Sequence, residues 1–361
     1  MYRTKQLAQR GQSIWLDNVT RDLLTSGTLA RYIADLGVTG LTSNPSIYNK
    51  AIGGSAAYDE AIEALRAKGL DSQNIFFELA LDDLGRAADM FLPIYRRTGG
   101  VDGFVSLEVS PLLAHDAEAT LSEARRLHAR SGRPNLFIKI PGTTEGLGAI
   151  EESIFAGVPI NVTLLFSAEQ YLAAAGAYTR AIERRVEAGL DPYVASVASV
   201  FVSRWDAGTG NLPGDLHMQL GVATARKTWV AYRDLIDSDR WQRLLNEGAR
   251  PQRLLWASTG TKDARFSDVY YVEALAAPFT VNTMPEETLM AFADHGTVKA
   301  TLPFGPDPGN DALLARFEAA GVNVAELAGR LQDQGTDAFI SAWRSLIGLI
   351  EQKAASAVKQ R

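Results

Sequence analysis

Eight short apolar runs alternate with longer segments of helical periodicity along most of this 361-residue chain. The runs predict strands at residues 13–17, 38–42, 104–109, 136–140, 160–164, 194–202, 254–257 and 280–282. Strands separated by helices predict a parallel sheet, because a parallel strand needs a long crossover to return to the same edge. Eight such units predict a closed (β/α)8 TIM barrel of the α/β class. An open doubly wound sheet is the alternative, but no Gly-x-Gly-x-x-Gly follows the first run, which disfavours its dinucleotide-binding version.

The chain changes character after residue 302. A turn-rich segment, Pro-Phe-Gly-Pro-Asp-Pro-Gly at residues 303–309, precedes apolar residues at helical spacing. These apolar residues are Phe339, Trp343, Leu346, Ile347 and Ile350. The stripe predicts a helix face packed on the barrel, with a partner-binding helix as the alternative. We therefore predict a barrel over residues 1–302 and a C-terminal helical extension of the same domain over residues 303–361.

Composition excludes several classes of function. The net charge is −6 and no basic cluster stands out, so we expect no nucleic acid partner. The chain has no cysteine, which excludes thiolate chemistry, and its four histidines lack the spacing of metal ligands. The N-terminus is polar and no run of about 18 apolar residues occurs, so we expect no signal sequence and no membrane association. These features predict a cytoplasmic protein and leave monomer and homodimer open.

Lys139 lies inside the apolar run Leu-Phe-Ile-Lys-Ile at residues 136–140. Burial disfavours an ammonium, so part of such a lysine exists as the free amine, which is the form that attacks a carbonyl. Lys139 therefore points to Schiff-base chemistry. Taken alone, a strand-end lysine whose charged head reaches solvent is the simpler explanation.

Polar side chains recur at the same depth on six successive predicted strands. Residues two apart on a strand share a face, and the carboxyl ends of barrel strands carry the chemistry in this fold. The recurring polar residues, with one neighbouring phenylalanine, are Asp17, Thr42, Asn44, Ser106, Glu108, Lys139, Asn161, Thr163, Ser199 and Phe201. Burying any polar group without a partner is unfavourable, so we predict that these residues meet in one ring at the mouth of the barrel.

Single members of this ring have simpler explanations. Asp17 alone is equally well explained as a helix cap, and Asn44 with its following proline as a turn. Asn161 and Thr163 could bond only to each other. Glu108 is harder to explain, because a carboxylate between two apolar neighbours is rarely buried without a partner. The pattern as a whole, rather than any one residue, supports a catalytic site.

Two cations follow the late strands. Arg204 comes just after the sixth strand, and Lys262 ends the loop Ser-Thr-Gly-Thr-Lys that begins at Ser258. Loops after the late strands are frequent phosphate sites in this fold, and arginine grips phosphate with two parallel hydrogen bonds. We therefore predict an anionic substrate held by Arg204, Ser258 and Lys262. An ordinary surface arginine or lysine is the alternative at each position.

Five motifs together resemble the transaldolases. Residues 42–46 read Thr-Ser-Asn-Pro-Ser, residues 138–140 Ile-Lys-Ile and residues 161–167 Asn-Val-Thr-Leu-Leu-Phe-Ser. Trp-Leu-Asp at residues 15–17 and Ser-Leu-Glu at residues 106–108 stand in the matching places. The resemblance covers roughly residues 14–285. The longer late loops and the C-terminal tail resemble the long-chain bacterial branch of the family.

The resemblance implies a class I transferase of the non-oxidative pentose phosphate pathway. Such enzymes move a dihydroxyacetone unit from sedoheptulose 7-phosphate to glyceraldehyde 3-phosphate, which gives erythrose 4-phosphate and fructose 6-phosphate, and they need no metal or organic cofactor. By position, Lys139 matches the imine-forming lysine and Asp17 the acid/base at the C4 hydroxyl. Glu108, through a water near Thr163, matches the proton shuttle. The residues that match substrate-orienting groups are Asn44 and Asn161, with Ser199 and Phe201 beside them.

The chain departs from the family in the loop after the seventh strand. The family usually has an arginine there, in a shorter loop, whereas this chain has Lys262. Lysine holds phosphate as a point charge without the bidentate fork, and Arg265 is the alternative donor. Two other functions stay open at this point, a fructose-6-phosphate-type class I aldolase and a noncatalytic sugar-phosphate-binding barrel. The two carboxylates disfavour the binding protein, because a phosphate binder needs cations more than acids.

Overall fold

A computed structural model describes residues 2–210 and 212–359. Eight parallel strands form a closed barrel in which each strand pairs with the next and the last pairs with the first. The strands are β1 (Ser13–Leu16), β2 (Val38–Thr42), β3 (Val105–Glu108), β4 (Leu136–Pro141), β5 (Ile160–Leu165), β6 (Ser196–Phe201), β7 (Arg253–Ala257) and β8 (Val281–Met284). The predicted TIM barrel is confirmed.

Two predicted strands differ from the observed ones by more than one residue at an end. The strand predicted at 194–202 is shorter in the structure and covers only β6. It begins at Ser196 because Ser196 pairs with Ile160, the first residue of the adjacent strand β5. The last predicted strand, at 280–282, is in fact β8 and reaches Met284, which pairs with Leu16. This extension places Thr283 on β8, at the mouth of the barrel.

The helices surround the barrel. They are α1 (Arg3–Gln9), α2 (Arg21–Thr25), α3 (Thr28–Arg31), α4 (Pro45–Gly54), α5 (Asp59–Ala67), α6 (Ser72–Arg97), α7 (Ala117–Ser131), α8 (Thr144–Phe155), α9 (Ala168–Glu187), α10 (Ser203–Gly208), α11 (Leu220–Ile236), α12 (Asp239–Asn246), α13 (Tyr270–Ala274), α14 (Glu286–His295), α15 (Pro308–Ala319) and α16 (Val324–Lys359). A π-helix continues α3 over Tyr32–Leu36, and 3-10 turns lie at Ala56–Tyr58 and Pro111–Leu113. None of the described helices combines the length and the apolar character needed to cross a bilayer.

Capping side chains start the helices directly after the strands that carry the polar ring. Asn44, Thr143 and Ser167 each accept a hydrogen bond from a backbone N–H of the first turn of α4, α8 and α9. A cap of this kind satisfies N–H groups that have no partner inside the helix. The chain therefore turns within two or three residues of the strand end, and little loop is left to cover the mouth of the barrel.

The C-terminal helix α16 packs along one side of the barrel and crosses its mouth. The predicted stripe is buried at Phe339, Trp343, Leu346 and Ile350. The Trp343 ring lies 5.1 Å from that of Phe76 on α6. The predicted helix packed on the barrel is confirmed. The boundary between 1–302 and 303–361 stays a prediction, and residues 1, 211, 360 and 361 within those ranges lie outside the described residues.

Candidate active site

A cavity of about 170 Å³ opens at the carboxyl ends of the strands. It brings together ten of the predicted site residues, namely Asp17, Thr42, Asn44, Lys139, Thr163, Ser199, Phe201, Arg204, Ser258 and Lys262. The three others, Ser106, Glu108 and Asn161, are buried among the same strand ends. The parallel register explains the meeting, because Lys139 pairs with Glu108 on one side and with Asn161 on the other.

A larger cavity, of about 430 Å³, lies at the opposite end of the barrel. Its wall is mostly apolar and includes Phe104, Phe137 and Tyr232. The described residues that line it include no lysine. The one carboxylate among them, Asp237, forms an ion pair of 3.3 Å with Arg233. The cavity that contains a lysine and a carboxylate suited to catalysis is therefore the smaller one. It lies at the end where enzymes of this fold carry their active sites.

Lys139 is enclosed rather than extended to solvent. Its side chain is 6% exposed, and that of Glu108 is 5% exposed. The Nζ atom donates a hydrogen bond of 3.0 Å to the carbonyl of Ser43 and lies 3.8 Å from Oε1 of Glu108. A buried amine beside a carboxylate has a proton acceptor within reach, which is the arrangement that an attacking lysine needs.

Glu108 is a buried acid with free hydrogen-bonding capacity. Neither carboxyl oxygen has a hydrogen-bond partner among the described residues, and the same holds for Oγ1 of Thr163. Burial raises the pKa of Glu108 to about 7, against the opposing attraction of Lys139. A carboxyl with this pKa can give and take protons near neutral pH. Its oxygens and Thr163 Oγ1 are the atoms that would hold a water or a substrate hydroxyl.

Asp17 follows β1 and faces the same cavity. Its Oδ1 accepts a hydrogen bond of 2.7 Å from Thr42 Oγ1. Burial raises the pKa of Asp17, while Lys139 and the bond from Thr42 lower it. The helix-cap explanation does not apply to Asp17, because Thr20 caps α2. The carboxylate is thus available to a ligand in the cavity.

The amide residues have structural partners as well as a place in the site. Asn44 caps α4 through Oδ1, which accepts from Ile47 N at 3.0 Å, so its amide nitrogen is the group left for a ligand. Asn161 Oδ1 accepts from Ser199 Oγ at 2.7 Å. Asn161 Nδ2 donates to Ser106 Oγ at 3.1 Å. Asn161 therefore bonds to Ser106 of β3 and to Ser199 of β6, whereas Thr163 keeps a free hydroxyl.

The far end of the cavity is cationic. Arg204 and Lys262 form no ion pair with any described residue, although the surface of this acidic chain holds many such pairs. The guanidinium carbon of Arg204 lies 4.9 Å from the ring centre of Phe201, and burial lowers the pKa of Arg204. Ser258 Oγ lies 2.8 Å from Ser203 Oγ at the same end. Unpaired cations beside hydroxyl groups form a suitable site for an anion.

The structure separates the two candidates for the second cation. Lys262 lies on the cavity wall. Arg265 instead forms an ion pair of 2.6 Å with Asp263 and contacts His217. The geometry therefore places Lys262, and not Arg265, at the cationic end of the cavity.

The chain is similar to known proteins over nearly its full length. The sequence matches the model of a family described as "Transaldolase/Fructose-6-phosphate aldolase" over residues 14–350. It is 42% identical over 358 residues to a transaldolase of Frankia alni, with 96% of each chain covered. It is 42% identical over 361 residues to a transaldolase of Thermobifida fusca, with 98% of each chain covered. A protein named transaldolase 2 of Nostoc punctiforme is also 42% identical, over 369 residues and 96% of each chain.

The chain belongs to the transaldolase/fructose-6-phosphate aldolase family. The match to the family extends to residue 350, well beyond the range of 14–285 suggested by the motifs, and so includes most of α16. The C-terminal helix is therefore part of the family's matched region in this chain. No three His, Cys, Asp or Glu side chains in the described part of the chain lie close enough together to hold a metal ion.

Several residues at the site were not predicted from the sequence, among them Thr283, Ser43 and Phe339. Thr283 on β8 lines the cavity and lies 2.7 Å from Thr42, oxygen to oxygen. Alternation along β8 would have found it if the strand had been extended past residue 282. Ser43 acts through its backbone carbonyl, which no side-chain pattern reveals. Phe339 of α16 lines the cavity although it is far away in sequence.

A Glu108→Gln variant is expected to be more stable than the wild type at pH 8. A carboxyl whose pKa is about 7 in the folded state and 4.5 in the unfolded chain binds more protons when folded. Its contribution to stability is therefore fully present below pH 4.5 and is lost as the pH rises through 7. Glutamine has no such titration, so we expect a gain of ~1–3 kcal/mol in unfolding free energy at pH 8 and little change at pH 4.

Urea unfolding at the two pH values measures this difference. Glu60→Gln, at an exposed glutamate of α5, serves as the control and should leave the pH dependence of stability unchanged. A Glu108→Gln protein that is less stable than the wild type at pH 8 would contradict the prediction, because it would mean that the structure stabilises the ionised carboxylate.

Proposed function

We propose that this chain is a transaldolase that moves a dihydroxyacetone unit from sedoheptulose 7-phosphate to glyceraldehyde 3-phosphate, with erythrose 4-phosphate and fructose 6-phosphate as products. The observation that carries the proposal is the buried Lys139 amine, 3.8 Å from Glu108 and in the same cavity as Asp17. The full-length similarity to proteins named transaldolase supports it. The cytoplasmic location and the choice between monomer and homodimer stay predictions.

Lys139 and Glu108 serve the formation of the imine. The Lys139 nitrogen attacks the C2 carbonyl of the ketose, and the C2 oxygen leaves as water. Glu108 takes a proton from the nitrogen and supplies one to the leaving hydroxyl, through a water held by its free oxygens and by Thr163 Oγ1. A pKa of about 7 lets one carboxyl do both at neutral pH.

Asp17 serves the cleavage of the C3–C4 bond. It removes the proton of the C4 hydroxyl as the bond breaks, and the C4 oxygen becomes the carbonyl of the departing aldehyde. The electron pair of the bond passes to the protonated imine, which becomes an enamine. The enamine carbon then attacks the acceptor aldehyde, and Asp17 returns its proton to the new hydroxyl. Addition of water to the regenerated imine, by the reverse of its formation, releases the new ketose and the free Lys139 amine. Because the imine accepts the electrons, this scheme requires neither a metal nor an organic cofactor.

The remaining residues orient the substrate. Arg204 and Lys262, with Ser258, bind the terminal phosphate at the cationic end of the cavity. Thr42 holds Asp17 in position through their 2.7 Å hydrogen bond. The other residues proposed to orient the three-carbon unit, directly or through one another, are Asn44, Ser106, Asn161, Ser199 and Phe201. Holding both ends of the sugar places its reacting carbons near the lysine.

A coupled assay tests the proposal. Purified protein with sedoheptulose 7-phosphate and glyceraldehyde 3-phosphate should form erythrose 4-phosphate at a rate that depends on both substrates. Cleavage of fructose 6-phosphate to free dihydroxyacetone without any acceptor would instead identify a class I aldolase. Saturable binding of sugar phosphates without turnover would identify a noncatalytic binding barrel.

A further inference from the structure

The first half of α16 lies over the cationic end of the cavity. Gln332 Nε2 donates hydrogen bonds of 3.0 Å to the carbonyls of Gly142 and Leu164, which follow Pro141 and Thr163 at the ends of β4 and β5. Phe339, two turns further along, is buried and lines the cavity. The helix is therefore attached to the strand ends and forms a roof over the site.

Between these two residues the helix approaches the site at a glycine. A Cβ added to Gly335 would lie 2.9 Å from Leu164 Cδ2 and 3.1 Å from Arg204 Nη1. Real Cβ contacts are rarely so short, so alanine at this position would push its neighbours away. Glycine inside a helix is unfavourable relative to alanine, and its presence here allows the close approach. At Gly329 and Gly348 of the same helix a Cβ would meet nothing within 4 Å.

The position of the Arg204 guanidinium depends on packing contacts rather than on hydrogen bonds. Its side chain forms no ion pair or hydrogen bond with any described residue. Its guanidinium carbon lies 4.9 Å from the centre of the Phe201 ring, and its Nη1 atom lies 3.1 Å from the position that a Cβ of Gly335 would occupy. A free arginine side chain loses considerable rotamer freedom when it binds a ligand. A guanidinium that is already confined loses less, and so binds an anion more tightly.

We propose that Gly335 is a positioning residue, through which α16 holds Arg204 toward the cavity and so sets the affinity for the phosphate of the substrate. This inference rests on the proposed function in assigning Arg204 to phosphate. It implies that the C-terminal helix acts on substrate affinity without taking part in the chemistry. Both nearby atoms end side chains, but Leu164 is fully buried in the core whereas Arg204 borders the open cavity. Arg204 is therefore the group expected to move when Gly335 gains a methyl group.

A Gly335→Ala variant tests the inference in an assay with two acceptors. We expect the KM for glyceraldehyde 3-phosphate to rise about 10-fold, while kcat and the KM for unphosphorylated glyceraldehyde change less than about 2-fold. Gly329→Ala is the matched control, with the same substitution in the same helix, and should behave as the wild type with both acceptors. In an Arg204→Met background, Gly335→Ala should add no further rise, since residues that act through one another are not additive.

A second variant adds no bulk and covers the case in which Gly335→Ala does not fold. Gln332→Ala removes the attachment of α16 to the strand ends and should raise the same KM selectively, whereas Gln334→Ala, on the exposed side, should not. Calorimetry with inorganic phosphate gives a readout independent of turnover, and its Kd should rise in parallel. Equal effects on both acceptors, or no weakening of phosphate binding, would overturn the inference. A wild type that binds phosphate but transfers nothing to either acceptor would refute the proposed function instead.

Discussion

Lys139→Ala is expected to reduce transfer by at least ~10⁴-fold, because no other described amine lies beside a carboxylate inside the cavity. Borohydride added with fructose 6-phosphate should trap a reduced adduct on the wild type, and digestion followed by mass spectrometry should locate it on the peptide that contains Lys139. The variant should give no adduct. Its fold should survive, since β4 keeps its apolar neighbours.

The control for this experiment is Lys227→Ala, at an ammonium that forms a half-exposed ion pair of 3.2 Å with Glu169. That variant should keep both the adduct and the activity. An adduct on another lysine of the wild type, or activity that survives the loss of Lys139, would refute the Schiff-base scheme and with it the role of the buried amine.

Asp17→Asn is expected to separate imine formation from bond cleavage. An amide cannot take the C4 hydroxyl proton, so kcat for transfer should fall by ~10²–10⁴-fold. The imine should still form, because Lys139 and Glu108 are unchanged, and borohydride should still trap the intact ketose. The variant should be no less stable than the wild type near neutral pH, since burial raises the pKa of Asp17 and so disfavours its ionised form.

Glu108→Gln provides the contrast for Asp17→Asn. It should slow the trapping step itself, because the proton shuttle of imine formation is lost. If both variants slowed trapping equally, or if Asp17→Asn left transfer intact, the division of proton transfers between the two carboxylates would be wrong. Rapid mixing with borohydride quenching, followed by measurement of the trapped fraction over time, distinguishes these outcomes.

Most of the fold and much of the site follow from local patterns. Alternation of apolar runs with helical segments predicts the barrel, since each pattern is set by a period of two or 3.6 residues that the sequence displays directly. Parity then places Ser106 with Glu108, and Asn161 with Thr163, on one face of a strand. Parallel strands present their carboxyl ends at one edge, so residues at equal depth on different strands must meet.

Tertiary structure decided which of these residues interact and how. The 3.8 Å approach of Lys139 to Glu108 depends on the register between β3 and β4, and the raised pKa of Glu108 depends on its burial. The choice of Lys262 over Arg265 depends on an ion pair between Arg265 and Asp263 that no motif reveals. The first two features depend on the packing of strands against each other and the third on the conformation of one loop, and sequence periodicity specifies neither.

The sequence by itself determined the barrel, the lysine and the two acids, because their positions follow from short-range periodicity. The path of α16 across the mouth was decided only in three dimensions. An apolar stripe indicates which face of a helix is buried, but it does not indicate which part of the protein that face packs against. Gly335 illustrates the difference. In the sequence it is one of 31 glycines, and only the folded structure shows that it lies close to Arg204.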